Sequence, residues 1–302
     1  MPFSIRPDRA FTVQFRKAAR RQLRHTTKIL DERPDGLDEA IHETRKRLKR
    51  VRSLYRLASR EMPKFCAREN ARLRDIAASL STLRDAAALV ETATYLQDRA
   101  RDAEEAEAIG RIVAVLSARR DQIAAADTDI EATVPDTILA LKAAINAVGD
   151  IHFAGGHRKH ARLLARGWSD TTRKARKALG ACQARVSAEA FHTLRKRTQD
   201  YRAYHKLLSP LWPAAMAAKH DVASRLIDLL GRVYDLELLC DLVETEHHHF
   251  DNADDLAHLL YAIIFHQQQD RQAALEAAED IFGDHRQDEA SRIELLWIAF
   301  GD

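Results

Sequence analysis

Glycine (10 residues) and proline (7) are scarce in this chain of 302 residues, and aromatic side chains make up 6% of it. So little turn-forming material excludes a sandwich or barrel of many hairpins, whose turns demand Gly, Asn or Pro. The three cysteines, Cys66, Cys182 and Cys240, stand far apart and form no CxxC pair. That spacing excludes a disulfide framework and points to reduced, buried thiols. The longest apolar stretch near the C-terminus, Leu259 to Phe265, falls far short of the ~20 residues that a bilayer-spanning helix needs. The first residues, MPFSIRPDRAF, carry no apolar segment of the kind found in secretory signals, so a cytoplasmic location and no membrane partner are expected. There is no Gly-rich phosphate loop, no nucleophile elbow and no HExxH. An excess of either charge is also missing: 48 Lys and Arg against 45 Asp and Glu leave +3, so the information lies in how charge is distributed.

Ala, Leu, Arg and Glu are abundant, which favours helices. Apolar residues recur with a 3.6-residue period almost end to end, predicting helices over 8–30, 37–60, 64–100, 104–126, 136–148, 158–183, 188–208, 212–245, 252–282 and 286–299. Pro34, Asp35 and Gly36 separate the first two, and Met62 and Pro63 close the second. Pro135 is expected to open a short helix, as Pro does at a first helical position, and Gly155 and Gly156 mark a loop before a second half begins.

That second half repeats the first. Ala40-Ile41-His42-Glu43-Thr44-Arg45-Lys46-Arg47 matches Ala190-Phe191-His192-Thr193-Leu194-Arg195-Lys196-Arg197 at an offset of 150 residues. At the same offset Arg52 meets Arg202, Arg56 meets Lys206, and Leu80, Asp85 and Leu89 meet Leu230, Asp235 and Leu239. A further basic helix precedes each copy, with Arg16, Lys17, Arg20, Arg21, Arg24 and Lys28 in the first and Arg173, Lys174, Arg176 and Lys177 in the second. The expected fold is all-α: two pseudo-symmetric four-helix bundles from an internal repeat, forming one compact domain (1–302) around a basic central trough or channel. The halves are read as 8–127 and 158–283, joined by 128–157 and followed by a C-terminal helix in 284–302. That last helix, with Leu295, Leu296, Trp297 and Phe300, is expected to dock on the bundle or on a second copy, which leaves a homodimer open.

On a helical wheel, Ile41, Thr44, Leu48, Val51 and Tyr55 fall on one side of the first histidine helix, an ordinary core-facing stripe. His42, Arg45, Lys46, Lys49, Arg52, Arg56 and Arg60 fall on the other, and from Thr44 to Arg60 there is no acid. A solvated helix face usually mixes signs, because like charges one turn apart repel. The second copy places His192, Arg195, Lys196, Arg202 and Lys206 opposite Phe191, Leu194, Thr198, Tyr201 and Leu208. It is weaker, with Gln199 and Asp200 where Lys49 and Arg50 stand. Four basic helices brought together would focus a positive field that draws in anions, with Arg16, Arg20, Arg173 and Lys177 contributing from the flanking pair. Both histidines are expected in the first turn of their helices, where backbone N–H groups favour anions, and so to act as phosphate-facing donors that an anion would keep protonated.

His42-x-x-Arg45-Lys46-x-x-Lys49-Arg50-x-Arg52 followed by Leu83-Arg84-Asp85, and His192-x-x-Arg195-Lys196 followed by Tyr201-Arg202, Leu230-Gly231 and Asp235, resemble the CHAD family, the conserved histidine α-helical domain. The resemblance runs from about residue 8 to 283. It implies two four-helix bundles around a basic channel that binds long-chain inorganic polyphosphate, in some members at polyphosphate granules. Residue by residue, it implies that role for His42, Arg45, Lys46, Lys49, Arg52 and Arg56, and for His192, Arg195, Lys196, Arg202 and Lys206. The departures at Gln199 and Asp200 imply a weaker second site. The separate triphosphate-processing domain of many relatives does not fit in this chain.

The expected partner is therefore polyphosphate or another phosphate-rich anion, with sulfate or phosphate expected in the site in crystals and with no metal, no cofactor and no catalytic residue. A metal-dependent enzyme acting on polyphosphate or triphosphate would need converging carboxylates, for which Glu43, Asp85 and Asp235 are the candidates. Asp85 and Asp235 read instead as structural partners of Arg47, Arg84 or Arg197. A nucleic-acid binder would interleave aromatic platforms with its cations, whereas Tyr55 and Tyr201 fall on the apolar side, so nucleic acid is expected to bind nonspecifically at low salt. The run Glu244-Thr245-Glu246-His247-His248-His249 lacks the i, i+4 spacing of metal-binding helices.

Overall fold

In the computed structural model, the described residues are 3–80, 82–126, 128–185, 187–246, 250, 252–283 and 288–301. They form eleven α-helices and no strand: α1 (Phe11–Glu32), α2 (Leu37–Leu57), α3 (Pro63–Ala78), α4 (Thr82–Gln97), α5 (Ala103–Ala126), α6 (Thr128–Ala147), α7 (His157–Ala184), α8 (Ala188–Leu207), α9 (Pro213–Thr245), α10 (Ala253–Phe282) and α11 (Asp288–Ala299). A short 3₁₀ turn, Val148–Asp150, follows α6. The run His247–His249 and the side chains of Leu83 and Arg84 lie outside the described residues. Among those described, no helix is long and apolar enough to cross a membrane.

Helix boundaries keep the 150-residue offset. Pro63 and Pro213 open α3 and α9, and Ala103 and Ala253 open α5 and α10. Two expectations fail. The helix expected over 64–100 is broken into α3 and α4 after Ala78, where the Ser79 hydroxyl donates to the Ile76 carbonyl (3.0 Å) and competes with the helical ladder. Pro135 does not open α6 but sits inside it, eight residues in. A proline there removes one ladder bond. Burial of Val134, Leu141 and Ala144 carries the helix through it.

α1, α2, α3 and α6 pack on one another, and α8 packs on both α7 and α9, while α11 lies along α7. The largest core joins these helices, with α2 and α8 in direct contact. A second core holds α4 and α5 against the C-terminal part of α9 and the N-terminal part of α10, through Leu96, Ile109, Leu239 and Leu259 among others. The 33-residue α9, about 50 Å long, runs through both cores, where the first half uses the broken pair α3 and α4.

Trp297 on α11 is fully buried against Phe11, in edge-to-face contact at 5.7 Å. Glu289 at the start of α11 accepts from Trp168 Nε1 (3.2 Å), Tyr201 Oη (3.0 Å) and Lys219 Nζ. The C-terminal helix thus docks on its own chain, while Leu295 and Phe300 stay exposed. Cys66 and Cys182 are buried and Cys240 is half-buried. Burial pushes the Cys66 and Cys182 thiols up to about 12 and about 11, far from reactive thiolates.

The contact between α2 and α8 positions the basic faces. Asp200 on α8, 1% exposed, accepts from Ser53 Oγ on α2 (2.7 Å), from Arg56 Nε (2.9 and 2.8 Å), from the Arg56 terminal nitrogen and from Arg197 (3.2 Å). Nearby, α7 comes so close to the end of α2 that a Cβ on Gly167 would lie 2.1 Å from the Leu57 carbonyl oxygen. Replacing Asp200 by Ala leaves Arg56 without its counter-charge. The expected loss is about 3 kcal/mol of stability, read as a lowered urea midpoint, whereas Ala in place of the exposed Asp85 should change it by less than about 0.5 kcal/mol.

Candidate functional site

Helix α2 owes its orientation to its apolar stripe. Ile41, Leu48, Val51 and Tyr55 are buried and Thr44 lies among them, which leaves Arg45, Lys49 and Arg52 off the core-facing stripe; Arg45 reaches the Ala77 carbonyl (3.4 Å) and Asp85 (3.8 Å). α8 buries Phe191, Leu194, Thr198 and Tyr201, and so turns His192, Arg195, Lys196 and Arg202 toward α2. The two faces act on each other. Lys49 retains solvent contact, yet its surroundings lower its pKa to about 8, by burial first and then by Arg195, Arg45, Arg202 and Arg52. Arg52 is depressed by burial and then by Arg56, against the pull of Asp200. Lys196 is depressed by burial, Arg197, Arg52 and Arg56, and Arg202 by burial and Arg50. Cations from both repeats therefore form one cluster in which each makes its neighbours' charge less favourable.

Two guanidinium nitrogens there, Nε of Arg52 and Nε of Arg195, are buried without a hydrogen-bond partner. Arg195 has room because position 231 is glycine: a Cβ there would stand 3.3 Å from its terminal nitrogen. Arg195 also lies over the Tyr234 ring at 5.4 Å. Arg56, by contrast, is committed. Burial alone would lower its pKa, but Asp200 outweighs that and raises it.

The histidines differ from each other and from expectation. His42 is the sixth residue of α2 and His192 the fifth of α8, so both lie beyond the first turn and its open N–H groups. The first turns hold Asp38 and Glu39 on α2 and Glu189 on α8, acids that already satisfy the helix dipole. His42 is exposed. His192 stacks on Tyr234 at 5.1 Å, its Nδ1 buried without a partner. In the empty site its pKa is lowered by burial, Lys196, Arg195 and Lys49.

The remaining residues take other positions. Lys46 turns back to Glu43 (2.6 Å), and Lys206 is exposed. Arg16 donates to the Ile151 carbonyl (2.6 Å), and with Arg20 it lines a groove along α1. On α7, Arg173 pairs with Asp170 (3.0 Å), which also holds Arg60 (2.5 Å), and Lys177 is exposed. None of Arg16, Arg20, Arg173, Lys177 and Lys206 is among the cations that depress Lys49, Arg52, Lys196 or Arg202. Asp85 lies 3.8 Å from Arg45 rather than from Arg47, which pairs with Glu43 (3.2 Å), and Arg197 belongs to Asp200. Among the described residues, no three His, Cys, Asp or Glu side chains gather as metal ligands would.

Sequence reasoning missed Arg50, Tyr234 and the clamping role of Asp200. Tyr234 carries a weak signal, three residues after an isolated glycine in a helical run, a position that often marks close packing. Asp200 reads as a lost cation because the wheel shows which residue departs from a stripe but not which side chain across the contact receives it.

The profile of the CHAD domain matches residues 14–244. The chain is similar in structure to the CHAD domain of the plant Ricinus communis, solved by crystallography, with a TM-score of 0.61 and 16% identity over 99% of this chain and 95% of that one. No curated protein matches the chain. The likeness to the plant domain is one of fold, extending over α10 and α11 beyond the profile match, and with that match it identifies this chain as a member of the CHAD domain family.

Proposed function

We propose that the chain binds inorganic polyphosphate in a basic trough between two pseudo-symmetric helical bundles, and that it holds this polymer without transforming it. The observation that carries the reading is that cations of the two repeats face each other across α2 and α8: after burial, Arg195 and Arg202 of α8 disfavour the charge of Lys49, and Arg52 and Arg56 of α2 that of Lys196. An empty cluster of this kind is electrostatically unfavourable, and a polyanion relieves it. Polyphosphate suits it because it presents repeated charge and no base edges, and because a helix offers a cation about every 5.4 Å. Binding supports the reading better than catalysis. Of the acids a metal-dependent reaction would need, Glu43 and Asp85 are each engaged by lysine or arginine. The same affinity would carry the protein to polyphosphate granules in the cytoplasm.

Three outcomes are expected. Labelled long-chain polyphosphate at physiological salt should resist excess single-stranded DNA and heparin, and its affinity should fall about a hundredfold in Arg45→Glu/Lys49→Glu and in Arg195→Glu/Arg202→Glu. Equal competition by DNA, or unchanged binding in either variant, would mean that the stripes are ordinary solvated surfaces. In the empty protein, Lys49→Met should raise the melting temperature by about 2 °C while weakening binding, since it removes a charge the fold disfavours. A lowered melting temperature would count against the cluster. The third concerns pH. The empty-site pKa of Lys49 is about 8 and a bound polyanion raises it, so above pH 8 binding must take up a proton. Affinity should therefore fall between pH 8 and 9.5 in the wild type and stay nearly flat there in Lys49→Arg; parallel titrations would assign the dependence elsewhere.

A further inference from the structure

Along α1, Arg16, Lys17, Arg20, Arg21, Arg24, His25 and Lys28 line one open groove together with Val13. They recur at three- and four-residue steps, so they form a straight row about 18 Å long with a cation or two per turn. Among the described residues, the ion pair recorded on this row is Lys28–Glu32, at its far end, 3.6 Å apart and exposed on both sides. The rest of the row is left with excess positive charge.

The row is connected to the α2–α8 cluster. Arg47 of α2 donates to the Gln22 side chain of α1 (3.2 Å), which sets it beside the row, and after burial its charge is disfavoured by Arg50 and Arg21. Arg50 in turn acts on Arg202 of α8, and Arg202 on Lys49. Cations thus succeed one another from α1 across the outer side of α2 to the contact with α8. The acid on this route, Glu43, is neutralised by Lys46 (2.6 Å) and Arg47 (3.2 Å). Past His25 the surface changes sign: Glu32, Asp35, Glu39 and Glu43 line the adjoining pocket. A polyanion following α1 would be turned away from the loop between α1 and α2 and toward Arg47.

We propose that the α1 row is a second binding segment for a linear polyphosphate chain, continuous with the central cluster by way of Arg47 and Arg50, so that one long chain occupies both. This rests on the polyphosphate reading above and extends it by assigning the site a length. A membrane surface is the less suitable occupant. Interfacial helices present a broad exposed apolar face beside their cations, whereas on α1 Val13 alone stands exposed in this groove and Phe15, Ala19, Leu23 and Leu30 are buried.

The test is isothermal titration of Lys17→Glu/Arg24→Glu with polyphosphate of about 100 phosphates and with tripolyphosphate, alongside Arg195→Glu/Arg202→Glu. Lys17 and Arg24 are exposed, so the fold should be kept, and an unchanged helical circular dichroism spectrum checks it. The expected result is an affinity for the long chain reduced about tenfold with a shallower salt dependence, and tripolyphosphate binding unchanged. Equal long-chain affinity in variant and wild type, or equal losses for both lengths, would overturn the proposal. So would loss of binding to phosphatidylserine vesicles with polyphosphate binding intact, which would make the row a lipid contact. Failure of the central reading gives a different pattern, in which the α8 variant binds both lengths as well as the wild type.

Discussion

Two helices whose facing sides are both cationic do not pack by themselves, and the contact between α2 and α8 is where this fold meets that constraint. Two unit charges about 6 Å apart in an effective dielectric of ~20 repel by about 3 kcal/mol. Against this stand the stripes on the other sides of the same helices. Ile41, Leu48, Val51 and Tyr55, with Phe191, Leu194 and Tyr201, are buried, each contributing about 1.5–3 kcal/mol. Burial wins, with Asp200 as the local complement: it gives Arg56, Arg197 and Ser53 a shared acceptor at the seam.

That complement breaks the repeat. Asp200 corresponds to Arg50, and its partner Arg56 to Lys206, so the symmetry-related contact would join two cations. Symmetry at this seam would have meant repulsion twice over, or an acid twice over and much of the positive charge cancelled. One acid on one side resolves it. The second half gives up a cation and holds the first half in place, while Arg50 adds its positive charge beside Arg202 and Arg47. The departure from the family pattern at this position is therefore an anchor between the two halves.

The helical class, the repeat and the stripes on α2 and α8 were legible because each depends on periodicity, which a single chain displays. What depends on a partner across space was not. The break after Ala78 and the passage of α6 through Pro135 are decided by the cores those segments join, not by local propensity. The starts expected for α2 and α8, at 37 and 188, are those observed, and they already put His42 and His192 sixth and fifth, so the first-turn reading of the histidines followed the start of the basic pattern and not the start of the helix. Of the residues expected at the site, Lys49, Arg52, Arg195, Lys196 and Arg202 gather where α2 and α8 cross, whereas Lys46 turns back to Glu43 and His42 and Lys206 stay exposed. Arg16, Arg20, Arg173 and Lys177 belong to the outer faces of α1 and α7, a distinction that composition does not contain.

The arrangement of charge also bears on the form of ligand proposed. A compact anion is held best where open backbone N–H groups and side chains converge on a point, as at a helix N-terminus. Here the first turns of α2 and α8 are occupied by Asp38, Glu39 and Glu189, and the cations stand along the helix sides instead. Arg195 is given room by Gly231, and the cations follow one another along the two helices instead of meeting at one centre. A single phosphate would meet a few of these groups and leave the others repelling one another. An extended chain meets them in succession, and each further contact removes another of the repulsions that the empty protein carries.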